Sequence, residues 1–491
     1  MFAICKDKEK RTLVKLMGPG GSGKSTLTKC IRMAMAELRG SPFSFDEREK
    51  KHKKLVMESN AIESTLILCA RARALFPSEC AAEPDLAAKM DKLSGQPAWT
   101  RITRAEAEMI SALWNSKLIQ DTWAQRQNFT INSNTAYLLS KVLEFGGKDG
   151  YAVTAQDVLE TREETKLGEE FQIEMPTELI LDCGGCCTGK RRPQDQRLCI
   201  LDVGGQQYHQ RANEASPIYR EYTRNASIIF VVVPLGDVAQ RVSESGGGGG
   251  GGDGGGGGGG GVVGAGLADA LLLLDGCLCA PGNEHRNVVV FLNKLDLFEA
   301  AVGGSGGGAG GAVAQWLESA KAYLPVAAAA AATAASASGP SGAAAAAAAG
   351  RGEDPKQQIQ KRATELVELL AAHASAARAL KSGDVVAAQA FFTTLIRAVE
   401  TRHRRTDSDG DALPNSFAGS LRVFATTATR YTDGLREALQ GACKEVSSVL
   451  LREIGIMSSA AVENPVNPGP KGAKRGSVFG MGDSYGKSEF E

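Results

Sequence analysis

The stretch Gly18-Pro19-Gly20-Gly21-Ser22-Gly23-Lys24-Ser25-Thr26 constrains this chain more than any other. Val14, Leu16 and Met17 lead into it, and Leu27, Ile31, Met33 and Met35 leave it at roughly helical spacing. Strand, glycine loop and helix in that order fit G-x-x-x-x-G-K-[ST], a phosphate-binding loop. Its glycines let successive backbone N–H groups turn inward around phosphates, and the following helix adds its positive dipole end. Gly20, Gly21, Ser22, Gly23 and Thr26 would line the phosphates. Lys24 would reach the β- and γ-phosphates, and Ser25 would place its hydroxyl on Mg²⁺.

Charge narrows the partners. The 491 residues carry 56 basic and 56 acidic side chains, so no global field favours nucleic acid or an acidic substrate. Eleven cysteines without framework spacing point to reduced thiols in a cytosolic compartment. No apolar run approaches the roughly 18 residues that a membrane span needs. Phe2 stands where N-myristoylation needs glycine. Cys5, beside Lys6, Lys8, Lys10 and Arg11, reads either as a palmitoylation site or as a free surface thiol.

The stretch after the first helix is helical. From about Ser44 to Leu75, Leu55, Ile62, Leu66 and Ala70 share a face, with Lys50, Lys51, Lys54 and Glu58 on the solvated side. Phe76-Pro77 closes it, and helical patterns follow at Arg104–Leu113, Ile119–Gln127 and Ser133–Glu144. With no strand pattern up to Gly150, this block reads as a separate all-α domain whose tryptophans, Trp99, Trp114 and Trp123, are core. Strand patterns resume at Phe171–Ile173 and Glu178–Cys183, then at Leu198–Val203, Ala226–Pro234, Asn287–Leu292 and Leu421–Thr426. The last four are short apolar runs between helical patterns, as buried parallel strands should be, which gives a doubly wound α/β sheet.

Low-complexity inserts interrupt that sheet. Residues 246–261 are all glycine except Asp253, a flexible coil whose closure entropy grows only slowly with length. Residues 303–352 mix glycine with the alanine blocks Ala327–Ala332 and Ala343–Ala349. Each block is shorter than the roughly 12–15 residues a free helix needs, so marginal helix or disorder is expected there. Gly184–Gln196 reads as a hairpin insert, and the stretch from Ser458 as a disordered tail in which Ser477 follows Lys471, Lys474 and Arg475. Cys183, Cys186 and Cys187, with Cys199 nearby, read either as free thiols or as zinc ligands.

Two further strand ends carry chemistry. Leu201-Asp202-Val203-Gly204-Gly205-Gln206 offers a carboxylate for Mg²⁺, a bare N–H at Gly205 for a γ-phosphate, and Gln206 to orient an attacking water. Asn293-Lys294-Leu295-Asp296 suits guanine, whose N1–H and amine both donate to one carboxylate; adenine lacks that pair. Asn293 can brace the loop, the Lys294 stem can cover the base, and an N–H in the loop holding Ala428 can meet the guanine O6.

With these residues the chain resembles the α subunits of heterotrimeric G proteins. Asp157-Val158-Leu159-Glu160-Thr161-Arg162-Glu163-Glu164-Thr165 resembles that family's D-V-L-x-x-R-x-x-T. Ser59-Asn60, Ala112-Leu113-Trp114 and Gln156-Asp157 add matches in the helical part. The resemblance implies a Ras-like, doubly wound GTPase domain with an inserted all-α domain. Residues 1–43 would start the GTPase domain and 44–158 form the helical domain. Residues 159–457 would complete the GTPase domain, with inserts at 184–196, 244–262 and 303–356, and 458–491 form the tail.

The resemblance further implies GTP and GDP as ligands, with Mg²⁺ held by Ser25 and Thr165. Arg162 would be an arginine finger in cis, Gln206 would place the water, and Leu159 would join the nucleotide contacts. A βγ dimer, a membrane receptor and an effector would be partners, at the inner face of the plasma membrane. Three departures stand out. Gly21 replaces a usually acidic residue, removing an ion-pair partner for Arg162. Residues 207–213 lack the usual run of basic residues and the tryptophan of the second switch, and little chain precedes the first strand for a βγ-docking helix. The helix from about Asp433 to Ile456 would correspond to the receptor-contacting one. A nucleotide-bound scaffold with little catalysis is the alternative reading, and an ATP-using enzyme is disfavoured by Asp296.

Overall fold

The computed structural model describes residues 11–38, 45–95, 101–126, 129, 131–148, 150–163, 169–174, 197–202, 225–239, 266–280, 282–303, 308–337, 355–381, 384–404, 416–426, 437–439 and 441–442. Six strands form one sheet: β1 Arg11–Met17, β2 Glu169–Glu174, β3 Arg197–Asp202, β4 Ile228–Pro234, β5 Asn287–Asn293 and β6 Leu421–Ala425. Their order is β2-β3-β1-β4-β5-β6. All neighbouring pairs are parallel except β2–β3, which is antiparallel and places β2 at an edge. All seven residues of β4 and of β5 are buried, the continuous apolar run expected of parallel strands covered on both faces.

Helix α1 spans Lys24–Leu38. Between it and β2 the described chain is helical: α2 Glu47–Leu75, α3 Pro77–Ala82, α4 Pro84–Ser94, α5 Arg104–Trp114, α6 Lys117–Ala124, α7 Thr135–Ser140, α8 Val142–Phe145 and α9 Ala155–Glu160. These helices enclose a core of their own around Met57, Leu68, Met90, Ile110, Leu113 and Phe145. Trp114 and Trp123 pack against it, their rings edge to face at 5.7 Å. Trp99 lies outside the described residues.

The expected face of α2 is corrected in part: Ile62 is buried and Leu66 packs against the core as expected, but Ala70 is exposed. Leu55 is exposed at 43%, whereas Val56, Met57, Asn60, Ala61, Ser64, Thr65, Leu68, Cys69 and Ala72 are buried. Several of these are polar, so apolarity alone misplaced part of the stripe; Ser64 Oγ, for one, donates to Thr135 Oγ1 at 2.9 Å. Glu58, expected in solvent, is also buried, and burial raises its pKa against the pull of Lys54 at 3.8 Å.

After β4 come α10 Gly266–Cys279, then α11 Leu295–Gly303, α12 Gly308–Ala337, α13 Pro355–Arg378 and α14 Val385–His403. The sheet has a core on each face. Val14, Leu16, Phe230, Val232 and Phe291 point toward Leu27 and Ile31 of α1. Val231, Val233, Val288, Val290 and Leu292 point toward α10, α12, α13 and α14. This two-sided burial is what alternation along a strand produces in an α/β protein.

Helix α12 overturns the expectation of marginal helix or disorder for its residues. It is 30 residues long and contains Pro325. Val313, Trp316, Leu317, Ala320, Leu324 and Ala328 are buried along one stripe, and Trp316 meets Phe392 edge to face at 5.4 Å. Tertiary packing of that stripe supplies what the alanine blocks alone could not. Among the described residues no helix is long and apolar enough to cross a membrane. The glycine tract, the 184–196 insert, Glu178–Cys183, Cys186 and Cys187, most of the 433–456 stretch and the 458–491 tail lie outside the described residues.

Candidate nucleotide-binding site

The carboxyl ends of β1, β3, β5 and β6 lie on one edge of the sheet. There β1 is flanked by β3 on one side and β4 on the other, so the chain order reverses at this strand. Open α/β sheets bind ligands at such a crevice. The loop after β1 turns directly into α1, with Leu27 N–H donating to Gly23 O at 2.8 Å. Gly23 has φ +96°, and a Cβ there would collide with Asn293 Nδ2. The missing side chain lets Asn293, the last residue of β5, donate to Ser22 O at 2.8 Å. Thr426 Oγ1 donates to the other end of the same amide at 3.3 Å. One asparagine therefore ties the loop after β1 to the loop after β6.

Lys24 begins α1 and is buried. Its ammonium donates to Gly18 O at 2.8 Å and Pro19 O at 2.9 Å. Burial lowers its pKa to about 8, while the nearby Asp202 carboxylate pulls the other way. Ser25 Oγ donates to Asp202 Oδ2 at 2.5 Å. Asp202 ends β3, fully buried, and burial raises its pKa against the Ser25 hydrogen bond and the charge of Lys24. Its Oδ1 and Ser22 Oγ are buried without a hydrogen-bond partner among the described residues. Buried polar atoms are ordinarily satisfied, so these two oxygens mark polarity that the described residues leave unmet.

On the base side, Lys294 takes φ 63° and its ammonium sits 3.5 Å from Asp237 Oδ1. Burial raises the pKa of Asp237, and Lys294 opposes the rise. Asp296 is the second residue of α11 and partly exposed. Gly20 and Gly21 are exposed at the loop tip, and Thr26 is half-buried on α1.

The helical block closes on this edge through the segment after α9. Asp157 is fully buried, and its carboxylate accepts from Tyr137 at 2.7 Å, Lys141 at 2.8 Å, Tyr151 at 2.7 Å, and Thr154 N–H and Oγ1 at 2.8 Å each. Burial works against its charge, but these bonds outweigh that and hold its pKa at about 2. Lys29 of α1 donates to Val158 O at 2.7 Å and Thr161 O at 3.4 Å, and Leu159 is buried among Val14, Leu27 and Ile31. The Leu159 side chain is thus committed to the core, leaving its backbone for any ligand contact.

Arg162 is next. Its N–H donates to Asn60 Oδ1 at 3.0 Å and its Nη1 to Asn132 Oδ1. Glu163 accepts from Lys53 and pairs with His52 at 2.7 Å; burial opposes its charge, but these bonds lower its pKa. Sequence reading missed Asn132 and Lys29 as members of this site. A lone basic residue on the apolar side of α1 was the available sign for Lys29; nothing marked Asn132. Thr165, Gly205, Gln206 and Ala428 lie outside the described residues. Among the described residues no group of three or more His, Cys, Asp or Glu could hold a metal, and Cys199 is buried in β3.

A phosphate loop at the reversal point of a mostly parallel sheet, with a strand-end carboxylate on its serine, defines a phosphate-binding α/β protein. The model of the G-protein alpha subunit family matches residues 4–307, more than half of the chain, and the chain belongs to that family. It is 24% identical over 298 residues to the guanine nucleotide-binding protein alpha-1 subunit of Arabidopsis thaliana, covering 58% of this chain and 66% of that protein. To the subunit alpha-15 proteins of Oryctolagus cuniculus and Homo sapiens it is 25% and 24% identical, each over 58% of this chain and 64% of the relative. The chain thus spans slightly less than two thirds of the length of these relatives.

Proposed function

We propose that this protein is a GTP-binding and GTP-hydrolysing switch, a Ras-like doubly wound domain with an all-α domain inserted at about residues 44–158. The observation that carries the reading is the Ser25–Asp202 contact beside the buried Lys24 ammonium, with Asn293 holding the loop above them. Lys24 binds the β- and γ-phosphates, and Gly20, Gly21, Ser22, Gly23 and Thr26 supply the surrounding backbone. Asp296 takes the guanine edge, the Lys294 stem covers the base, and Ala428 offers its N–H to O6.

The unmet Asp202 oxygen and the Ser25 hydroxyl fit a hard, oxygen-loving cation, and Ser25 and Thr165 would hold Mg²⁺ there. When bound, it neutralises charge on the phosphates. Arg162 faces the charge that develops on the transferring phosphoryl group, a role that supplies about 10³–10⁵ in rate. Gln206 orients the attacking water, and Gly205 senses the γ-phosphate. A βγ dimer, a membrane receptor and an effector are the partners, met at the inner face of the plasma membrane.

The test is hydrolysis of pre-bound GTP in a single turnover. Gln206→Leu should retain GTP and release phosphate at least about tenfold more slowly; equal rates in variant and parent would defeat the mechanism. A second reading, a nucleotide-bound scaffold, is favoured by Gly21, which sets no carboxylate opposite Arg162. Intact GTP binding with no phosphate released over hours would select it.

A further inference from the structure

We propose that Asn132 is a positioning residue for Arg162, holding its guanidinium against the phosphate loop where position 21 has no side chain to do so. The proposal rests on the catalytic reading of Arg162 given above. A Cβ built at Gly21 would lie 3.8 Å from Arg162 Nη2, so the guanidinium already lies beside the loop. Its Nη1 donates to Asn132 Oδ1. The nearest acid in sequence, Glu163, is taken by Lys53 and His52.

The backbone on either side of Thr161 is gripped as well. Asn60 Oδ1 accepts the Arg162 N–H at 3.0 Å, and Asn134 Nδ2 donates to Glu160 O at 2.5 Å and to Asn60 Oδ1 at 3.4 Å. Asn132 is itself anchored, since its carbonyl accepts from Thr135 N at 3.2 Å and Thr135 Oγ1 at 2.7 Å. Asn60, Asn132 and Asn134 are all buried. Three asparagines of the helical block therefore fix both the backbone and the head group of one arginine.

The choice of an amide has a chemical consequence. A carboxylate opposite the guanidinium would cancel much of the charge that is needed at the phosphoryl group. An amide oxygen orients the same N–H fork and leaves the full positive charge available. Rotamer freedom that a long side chain would lose during the reaction is already lost in the folded protein.

Single-turnover hydrolysis of pre-bound GTP by the full chain, with GTP affinity and thermal unfolding measured in parallel, tests this. Arg162→Ala should slow hydrolysis by about 10²-fold or more. Asn132→Ala should slow it by about tenfold with affinity changed less than about twofold, as expected for a misplaced catalytic group. Asn132→Asp, which keeps an acceptor oxygen but sets a negative charge opposite the guanidinium, should hold the arginine in place yet recover only part of the rate. In the Arg162→Ala background, Asn132→Ala should cost nothing more. If Asn132→Ala does not fold, Asn132→Ser, polar but too short to reach Nη1, takes its place.

A parent-like rate in Asn132→Ala beside a slow Arg162→Ala overturns the proposal. So does an equal loss from Asn132→Ala in both backgrounds, the mark of a purely structural role. An Arg162→Ala variant as fast as the parent instead defeats the catalytic reading, and the positioning role with it.

Discussion

Two buried carboxylates in this molecule are handled in opposite ways. Asp157, in the helical block, is surrounded by donors from Tyr137, Lys141, Tyr151 and Thr154, and its pKa falls to about 2. Asp202, at the sheet edge, has one hydroxyl on one oxygen and no partner among the described residues on the other, and its pKa rises. Full satisfaction makes the first a structural pin that sets the start of α9 and so the segment leading to Arg162. Partial satisfaction makes the second a place that gains from a ligand. Lys24 follows the second pattern, with burial lowering its pKa to about 8. Unmet polarity is costly to a fold, and at Asp202 and Ser22 it lies where phosphates and a cation would repay it.

The sharpest way to break this contrast is to remove one charge from each region and read both stability and binding. Lys24→Ala should lower GTP affinity by about 10³-fold, roughly 4 kcal/mol, in an equilibrium titration. Its effect on unfolding should stay below about 1 kcal/mol, because the lost ammonium was poorly solvated. Asp157→Asn should do the reverse, costing about 3 kcal/mol in urea unfolding by stranding Lys141. In the parent, Asp157 contributes its stability in full above its unfolded value of 3.8, and loses it as pH falls toward about 2. The acid limb of the stability curve should therefore flatten in Asp157→Asn. A large loss of binding in that variant with stability intact would invert the assignment.

Smaller effects sharpen the picture within the pocket. Asp296→Asn should erase about 2 kcal/mol of preference for GTP over ATP in a competition assay, because one acceptor pair is replaced by a mixed group. Asn293→Ala should weaken nucleotide binding by about 1 kcal/mol, through loss of the bond to Ser22 O rather than through the base.

What could be read from residues alone follows the same physics. The apolar runs at β4 and β5 were legible because strands buried on both faces carry a continuous signature. The phosphate loop, Asp202 and Asn293 were legible because their chemistry depends on local spacing at strand ends. Asn132 was not, since it meets Arg162 30 positions away and an asparagine has no periodicity of its own. The polar stripe of α2 misled for a related reason, since Ser64 meets Thr135 on another helix, whereas Glu58 pairs within α2 with Lys54 and is bonded by the Ile102 backbone. Helix α12 was hidden by its composition. Glycine and alanine suggested a loose insert, while Val313, Trp316, Leu317 and Leu324 were already spaced as a helical seam.

That seam changes what the added helix means for the whole molecule. The family match ends at residue 307, and α12 begins at residue 308. Trp316 nevertheless stacks into the same aromatic nest as Phe392, which also touches Phe298 at 5.8 Å and Phe391 at 5.4 Å. An appendage could be trimmed; this one has become a wall of the building. Excising it would bare the faces of α10, α11, α13 and α14 that pack on it, so this helix and the domain around it now stand or fall together.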